Sequence, residues 1–72
     1  MPDALANGLR ALRADRKLTQ AQLAELVGVT RKTVNTIENG VFVPSTVIAL
    51  KMAKALDVPV EKLFWLPESE RF

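Results

Sequence analysis

The side chains in this chain that are equipped for chemistry are cations, amides and hydroxyls. Thr30, Arg31, Lys32, Thr33 and Thr36 crowd together in mid-sequence, with Gln20 before them and Asn39 after. All can donate hydrogen bonds, and Arg31 and Lys32 carry positive charge. Such a set suits the recognition of anions and polar edges. Proton transfer and covalent catalysis lack their usual agents, because histidine, cysteine and tyrosine are absent. That absence removes the commonest general base, the thiol nucleophile, the disulfide framework and the preferred transition-metal ligands. Ser45 reads as a helix cap and Ser69 as a tail residue, the carboxylates are scattered, and no glycine-rich phosphate loop is present. The sequence predicts a protein that is not an enzyme and needs neither cofactor nor metal.

Charge distribution supports an anion-facing side. The 72 residues carry ten Lys plus Arg against eight Asp plus Glu, a net charge of +2. Residues 10–32 contain six basic and two acidic side chains, hence +4, whereas residues 57–72 contain two basic and four acidic ones, hence −2. A basic half and an acidic tail result. No apolar run approaches the ~18 residues of a membrane span, and the first residues lack a secretory leader's continuous apolar stretch. The expected setting is the cytoplasm, away from membranes.

The elements that must position these side chains read as helices throughout. The hydrophobic fraction of 49% is enough to drive folding of one small domain. We expect this domain to occupy residues 1–66, followed by a short tail at 67–72. Leu5, Leu9 and Leu12 place one apolar stripe on a first helix over residues 3–16, with Gly8 weakening its beginning and moving the expected start toward Asn7. Thr19 and Gln22 form a capping box for a second helix whose apolar face is Leu23, Leu26 and Val27, and Gly28 stops it. Thr30 caps a third helix with Val34 and Ile37 inward, ended at Asn39-Gly40. Pro44-Ser45 begins a fourth, with Ala49, Leu50, Ala53 and Leu56 inward and Val47 and Met52 flanking. Pro59 opens a fifth, with Val60, Leu63 and Phe64. No strand pair is expected, and Val41-Phe42-Val43 is too short and too near Pro44 to form one.

The second and third helices are joined by a connection so short that they must cross steeply. Close approach at the crossing calls for a small residue, and Ala24 stands four positions before Gly28. Counted from Gln20, alanine is fifth, glycine ninth, and apolar residues are fourth, eighth, tenth, fifteenth and eighteenth. This is a helix-turn-helix pattern, held by Leu23, Ala24, Val27, Gly28, Val29, Val34 and Ile37 together.

On these residues, and above all on TQAQLAELVGVTRKTVNTIENG, the chain resembles the XRE family of DNA-binding domains, the five-helix domains of phage repressors and Cro proteins. The likeness runs over residues 9–64, and the short stand-alone bacterial and archaeal members are the most similar. It implies an all-α, phage-repressor-like fold and a transcriptional regulator, such as a repressor. It also implies binding of double-stranded DNA, usually as a homodimer, with the third helix in the major groove. The recognition face is then Arg31, Lys32, Thr33 and Thr36, next to the capping Thr30. Arg31 is the first candidate for base readout, since its guanidinium fork matches guanine O6 and N7. Gln20, at a helix N-terminus that attracts anions, implies a phosphate contact and a brace for the recognition helix. Asn39 and Val41 resemble the segment that lies along the sugar-phosphate backbone. The resemblance also pairs Arg13 with Glu38 in a partly buried salt bridge, so both are expected to be structural, as are Ala24 and Gly28.

The apolar load at the end of the chain suggests an interface. Trp65, Leu66 and Phe72 are candidates for a two-fold contact, with Val47 or Met52 as complement. The competing arrangement folds Trp65 and Leu66 over the first helix as a lid. A dimer would favour a pseudo-palindromic operator. A second functional reading is an antitoxin-like interaction module, whose apolar tail meets another protein while DNA binding is secondary.

Overall fold

The computed structural model describes residues 4–67, and its architecture follows from where helices can start and stop. Five helices lie in order: α1 at Leu9–Asp15, α2 at Gln20–Val27, α3 at Arg31–Glu38, α4 at Thr46–Leu56 and α5 at Val60–Leu63. The starts of α2, α3 and α4 are set by hydroxyl caps. Thr19 accepts from the Gln22 N–H at 3.0 Å and Gln22 answers by accepting the Thr19 N–H at 2.8 Å, a closed capping box. Thr30 accepts from Thr33 and Ser45 from Ile48, each at 3.1 Å. Left-handed residues follow four of the helices: Lys17 (φ 57°) after α1, Gly28 (φ 84°) after α2, Gly40 (φ 74°) after α3 and Asp57 (φ 58°) after α4.

The core is one cluster drawn from every helix. Leu9, Leu23, Ala24, Val27, Val34, Ile37, Met52, Ala53, Leu56 and Leu63 are buried. α2 packs on both α3 and α4, and α4 on α5.

Several expectations need correction. The first helix begins at Leu9, not at residue 3, because Gly8 is its N-cap and Asn7 Oδ1 takes the Leu9 N–H at 3.0 Å. The residues before it form a strand: β1 (Ala6–Asn7) pairs antiparallel with β2 (Phe64–Trp65), Ala6 opposite Trp65 and Asn7 opposite Phe64. A strand pair therefore exists although none was expected; it fastens the N-terminal segment to the residues after α5. Leu50 is 53% exposed and Leu26 63% exposed, whereas Met52 is fully buried. The inward face of α4 is Met52, Ala53 and Leu56, with Ile48 and Ala55 packed against the core beside them, and Leu50 falls to the outer side.

Candidate nucleic-acid interface

The α2–turn–α3 unit is built around Gly28. Its N–H reaches the Ala24 carbonyl at 2.8 Å, the Val29 N–H reaches the same oxygen at 3.0 Å, and the chain turns into the Thr30 cap at once. The left-handed φ of Gly28 makes this reversal possible. Ala24 is buried at the crossing together with Leu23, Val27, Val34 and Ile37. The remaining side of α3 faces solvent.

That face carries Arg31, Lys32, Asn35 and Thr36. Arg31 and Lys32 are exposed and belong to none of the ion pairs among the described residues. The hydroxyls are more committed. Thr30 and Thr33 share a hydrogen bond at 3.0 Å, and Thr36 donates to the Thr33 carbonyl at 2.9 Å. Thr33 and Thr36 therefore present methyls and acceptor lone pairs more readily than free O–H groups. A shallow hollow beside the first turn of α2 brings Lys17, Thr19, Gln20 and Arg31 together. The unpaired N–H groups of that first turn and the positive dipole end add to the two cations.

Behind this face runs a polar seam. The Glu38 side chain is fully excluded from solvent; Oε2 accepts from Arg13 Nε at 2.6 Å, and Oε1 accepts from Arg13 Nη2 at 3.3 Å, Gln20 Nε2 at 3.1 Å and Arg10 Nε at 3.5 Å. Arg13 also donates to the Leu18 carbonyl at 2.8 Å. Burial by itself pushes the Glu38 carboxyl upward. The hydrogen bonds from Arg13 and Gln20, the Arg13 charge and the Arg10 contact outweigh it, and the group lies below the ordinary glutamate value. Glu38 is therefore ionised at neutral pH, and Arg13 and Glu38 join α1 to the end of α3.

Gln20 spends both amide hydrogens inside the protein, one on Glu38 and one on Asn35 Oδ1 at 3.1 Å. It braces α3 from α2, and the donor left for an anion at this point is its backbone N–H. Asn39 lies at the end of the seam, donating to Asn35 Oδ1 at 3.2 Å and accepting from Arg10 Nη2 at 3.0 Å. Arg31 and Lys32 thus stand apart from the seam, while Gln20 and Asn39 belong to it.

Two residues were missed by sequence reasoning. Asn35 is exposed at i+4 from Arg31 and i−4 from Asn39, so the helical period of the recognition face could have found it. Asn7 could not be found that way. Its Nδ2 donates to the Ile37 carbonyl at 3.1 Å while its Oδ1 caps α1, a tertiary clip with no local signature. Trp65 and Leu66 are 43% and 39% exposed. The Trp65 ring also stands against Gly8, so part of it covers the start of α1 and part is free. Met52 is buried and cannot serve as a complement to them, whereas Val47 is exposed. Phe72 lies outside the described residues. No group of three potential metal ligands occurs among the described residues, and no helix there is long and apolar enough to cross a membrane.

A capped two-helix unit with a basic, solvent-facing second helix, set in a five-helix bundle, defines a helix-turn-helix DNA-binding domain. The helix-turn-helix family profile matches residues 9–63, and the chain belongs to that family. It is 47% identical over 64 residues to the HTH-type transcriptional regulator YgzD of Bacillus subtilis, covering 89% of this chain and 97% of that one. Among solved structures it is similar to the restriction-modification controller protein C.AhdI of Aeromonas hydrophila (TM-score 0.74, 43% identity, 78% of this chain and 85% of that one). It also matches part of Bacillus thuringiensis PlcR, solved in complex with a peptide and DNA (TM-score 0.68, 35% identity, 72% of this chain and 18% of that one). The protein is a transcriptional regulator with a helix-turn-helix DNA-binding domain, and not an enzyme.

Proposed function

We propose that this protein is a sequence-specific regulator that binds a pseudo-palindromic operator as a homodimer in the cytoplasm. The observation that carries the reading is the exposed Arg31-Lys32 pair at the N-terminal end of α3, free of internal ion pairs. Helix N-terminal residues are the ones that reach base edges when a recognition helix enters the major groove. Arg31 reads a base, Lys32 and Thr36 contact a base or a phosphate, and the first turn of α2 holds a phosphate through the Gln20 backbone N–H and Lys17. Asn39 keeps the segment after α3 close to the sugar-phosphate backbone. The half-exposed Trp65 and Leu66 supply the apolar contact between subunits.

Site selection from random duplex DNA followed by titration tests this reading. Arg31→Ala should relax preference at one base position per half-site, at a cost of about 1–3 kcal/mol. Lys32→Ala, if Lys32 holds a phosphate, should weaken all sequences alike and lower the salt slope by about one. Unchanged binding after joint replacement of Arg31, Lys32 and Thr36 by alanine would sink the assignment.

A further inference from the structure

We infer that Asn35 is a base-reading residue whose carboxamide is held in one sense, NH2 outward, so that it selects a hydrogen-bond acceptor on the base it faces. The inference rests on the DNA-binding reading above and adds a residue and a chemical preference to it. Asn35 is exposed on α3, one turn beyond Arg31, and residues spaced i and i+4 share a helix face. Its Oδ1 is doubly engaged, by Gln20 Nε2 at 3.1 Å and Asn39 Nδ2 at 3.2 Å.

The sense of the amide is fixed from two ends by groups of unambiguous polarity. At one end the buried Glu38 carboxylate can only accept, so Gln20 must turn its NH2 toward Glu38 Oε1. The second hydrogen of that NH2 points at Asn35, which must answer with oxygen. At the other end the Arg10 guanidinium can only donate, so Asn39 gives it Oδ1 and turns its own NH2 toward Asn35. Both chains of donors terminate on Asn35 Oδ1. Asn35 Nδ2 makes no hydrogen bond among the described residues.

This wiring changes what an asparagine can read. An unconstrained asparagine pairs both its edges with adenine N6 and N7. Here the oxygen already serves two donors, so only the NH2 half is on offer. Guanine, with O6 and N7 adjacent, matches a lone NH2 best. Thymine O4 and adenine N7 each offer one acceptor, and the cytosine amine offers only a donor and is refused.

The test is selection from random duplex DNA with the full chain and three variants. Wild type should return a consensus with guanine favoured at the position facing Asn35. Asn35→Ala should flatten that position alone and weaken the consensus site about tenfold, the scale of one base contact. Asn35→Asp puts an oxygen where the NH2 was, and should switch that position to cytosine while the other positions hold. Gln20→Met leaves the Asn39 bond in place but releases one lone pair of Asn35 Oδ1, which can then accept from adenine N6 while Nδ2 donates to N7, and should broaden that position to include adenine. Positions retained in a variant's own consensus certify its fold. If Asn35→Ala returns the wild-type consensus at every position, the inference is overturned while DNA reading stands. If Asn35→Asp keeps guanine, Asn35 does not read that position and the inference is overturned; if the position that Asn35→Ala flattens is cytosine in the wild-type consensus, the fixed sense is wrong; if wild type selects no sequence at all, the DNA-binding reading falls and takes this inference with it.

Discussion

At the scale of single residues, the consequential group is the Glu38 carboxylate, which has no exposed surface and four donors. Its depressed pKa is a statement about stability. The folded protein holds the proton less tightly than the unfolded chain, whose glutamates titrate near about 4.3. Its contribution is therefore complete above that value and is lost as the pH falls through the lower, folded value. Glu38→Gln should narrow the gap in urea-unfolding stability between pH 7 and pH 3 relative to wild type; an equal gap would place the acid sensitivity elsewhere. Arg13→Met should cost more, about 3 kcal/mol at pH 7, because it leaves a buried carboxylate short of its main partner and the Leu18 carbonyl short of a donor. A smaller loss than for Glu38→Gln would mean that Gln20 and Arg10 suffice to hold the charge.

At the scale of elements, two glycines near helix ends should behave oppositely. Gly28 has φ 84° with nothing within 4 Å of an added Cβ, so Gly28→Ala meets no clash but forces a left-handed alanine, costing about 1–2 kcal/mol. Gly8 has φ −109°, and its added Cβ would meet the Trp65 ring at 3.5 Å, an ordinary contact. Gly8→Ala should leave the thermal midpoint unchanged or raise it, by restricting the unfolded chain. Thermal melts of both variants check the pair, and an equal drop in the two would show that backbone sign is not what separates them. The same contrast explains what the sequence made legible. Caps and left-handed stops are local chemistry, so Thr19 with Gln22, Thr30, Ser45 and Gly28 could be read directly, and with them the helix-turn-helix. Asp57 is left-handed too, but aspartate adopts that conformation too seldom to announce it. The strand pair rests on contacts between residues far apart in the chain, and two residues per strand leave no alternation to detect. Leu26 and Leu50 were misplaced because apolar residues are not obliged to be inside; where neighbouring positions are both apolar, periodicity alone cannot choose between them. Asn35 was overlooked for a related reason: the motif drew attention to charge at the start of α3, and the seam that orients an amide a turn later exists only once α1, α2 and α3 are packed together.

At the scale of the whole molecule, the problem is what a domain this small does with apolar surface it cannot cover. The core takes Leu9, Leu23, Leu56 and Leu63 completely, yet Trp65 and Leu66 stay partly in water beside the β1–β2 pair. Leaving them so forfeits somewhat less than half of the stabilisation that complete burial of such side chains can give, about 1.5–3 kcal/mol each. A second copy of the chain is one surface that could recover it, and a two-fold contact would also place two recognition helices about 34 Å apart, one turn of DNA. The two residues do not make equally good tests. Trp65 is committed within the subunit through its pairing with Ala6 and its ring against Gly8, so replacing it risks the fold. Leu66 follows the strand and makes a cleaner probe. Leu66→Glu should leave the thermal midpoint within a few degrees of the wild-type monomer, abolish self-association by sedimentation at micromolar concentration, and weaken binding to a two-half-site operator far more than to a single half-site. A wild-type protein that sediments as a 7.9 kDa monomer even at tenfold higher concentration would remove the interface, and the half-exposed tryptophan would then be only the lid on α1 that its contact with Gly8 already makes it in part.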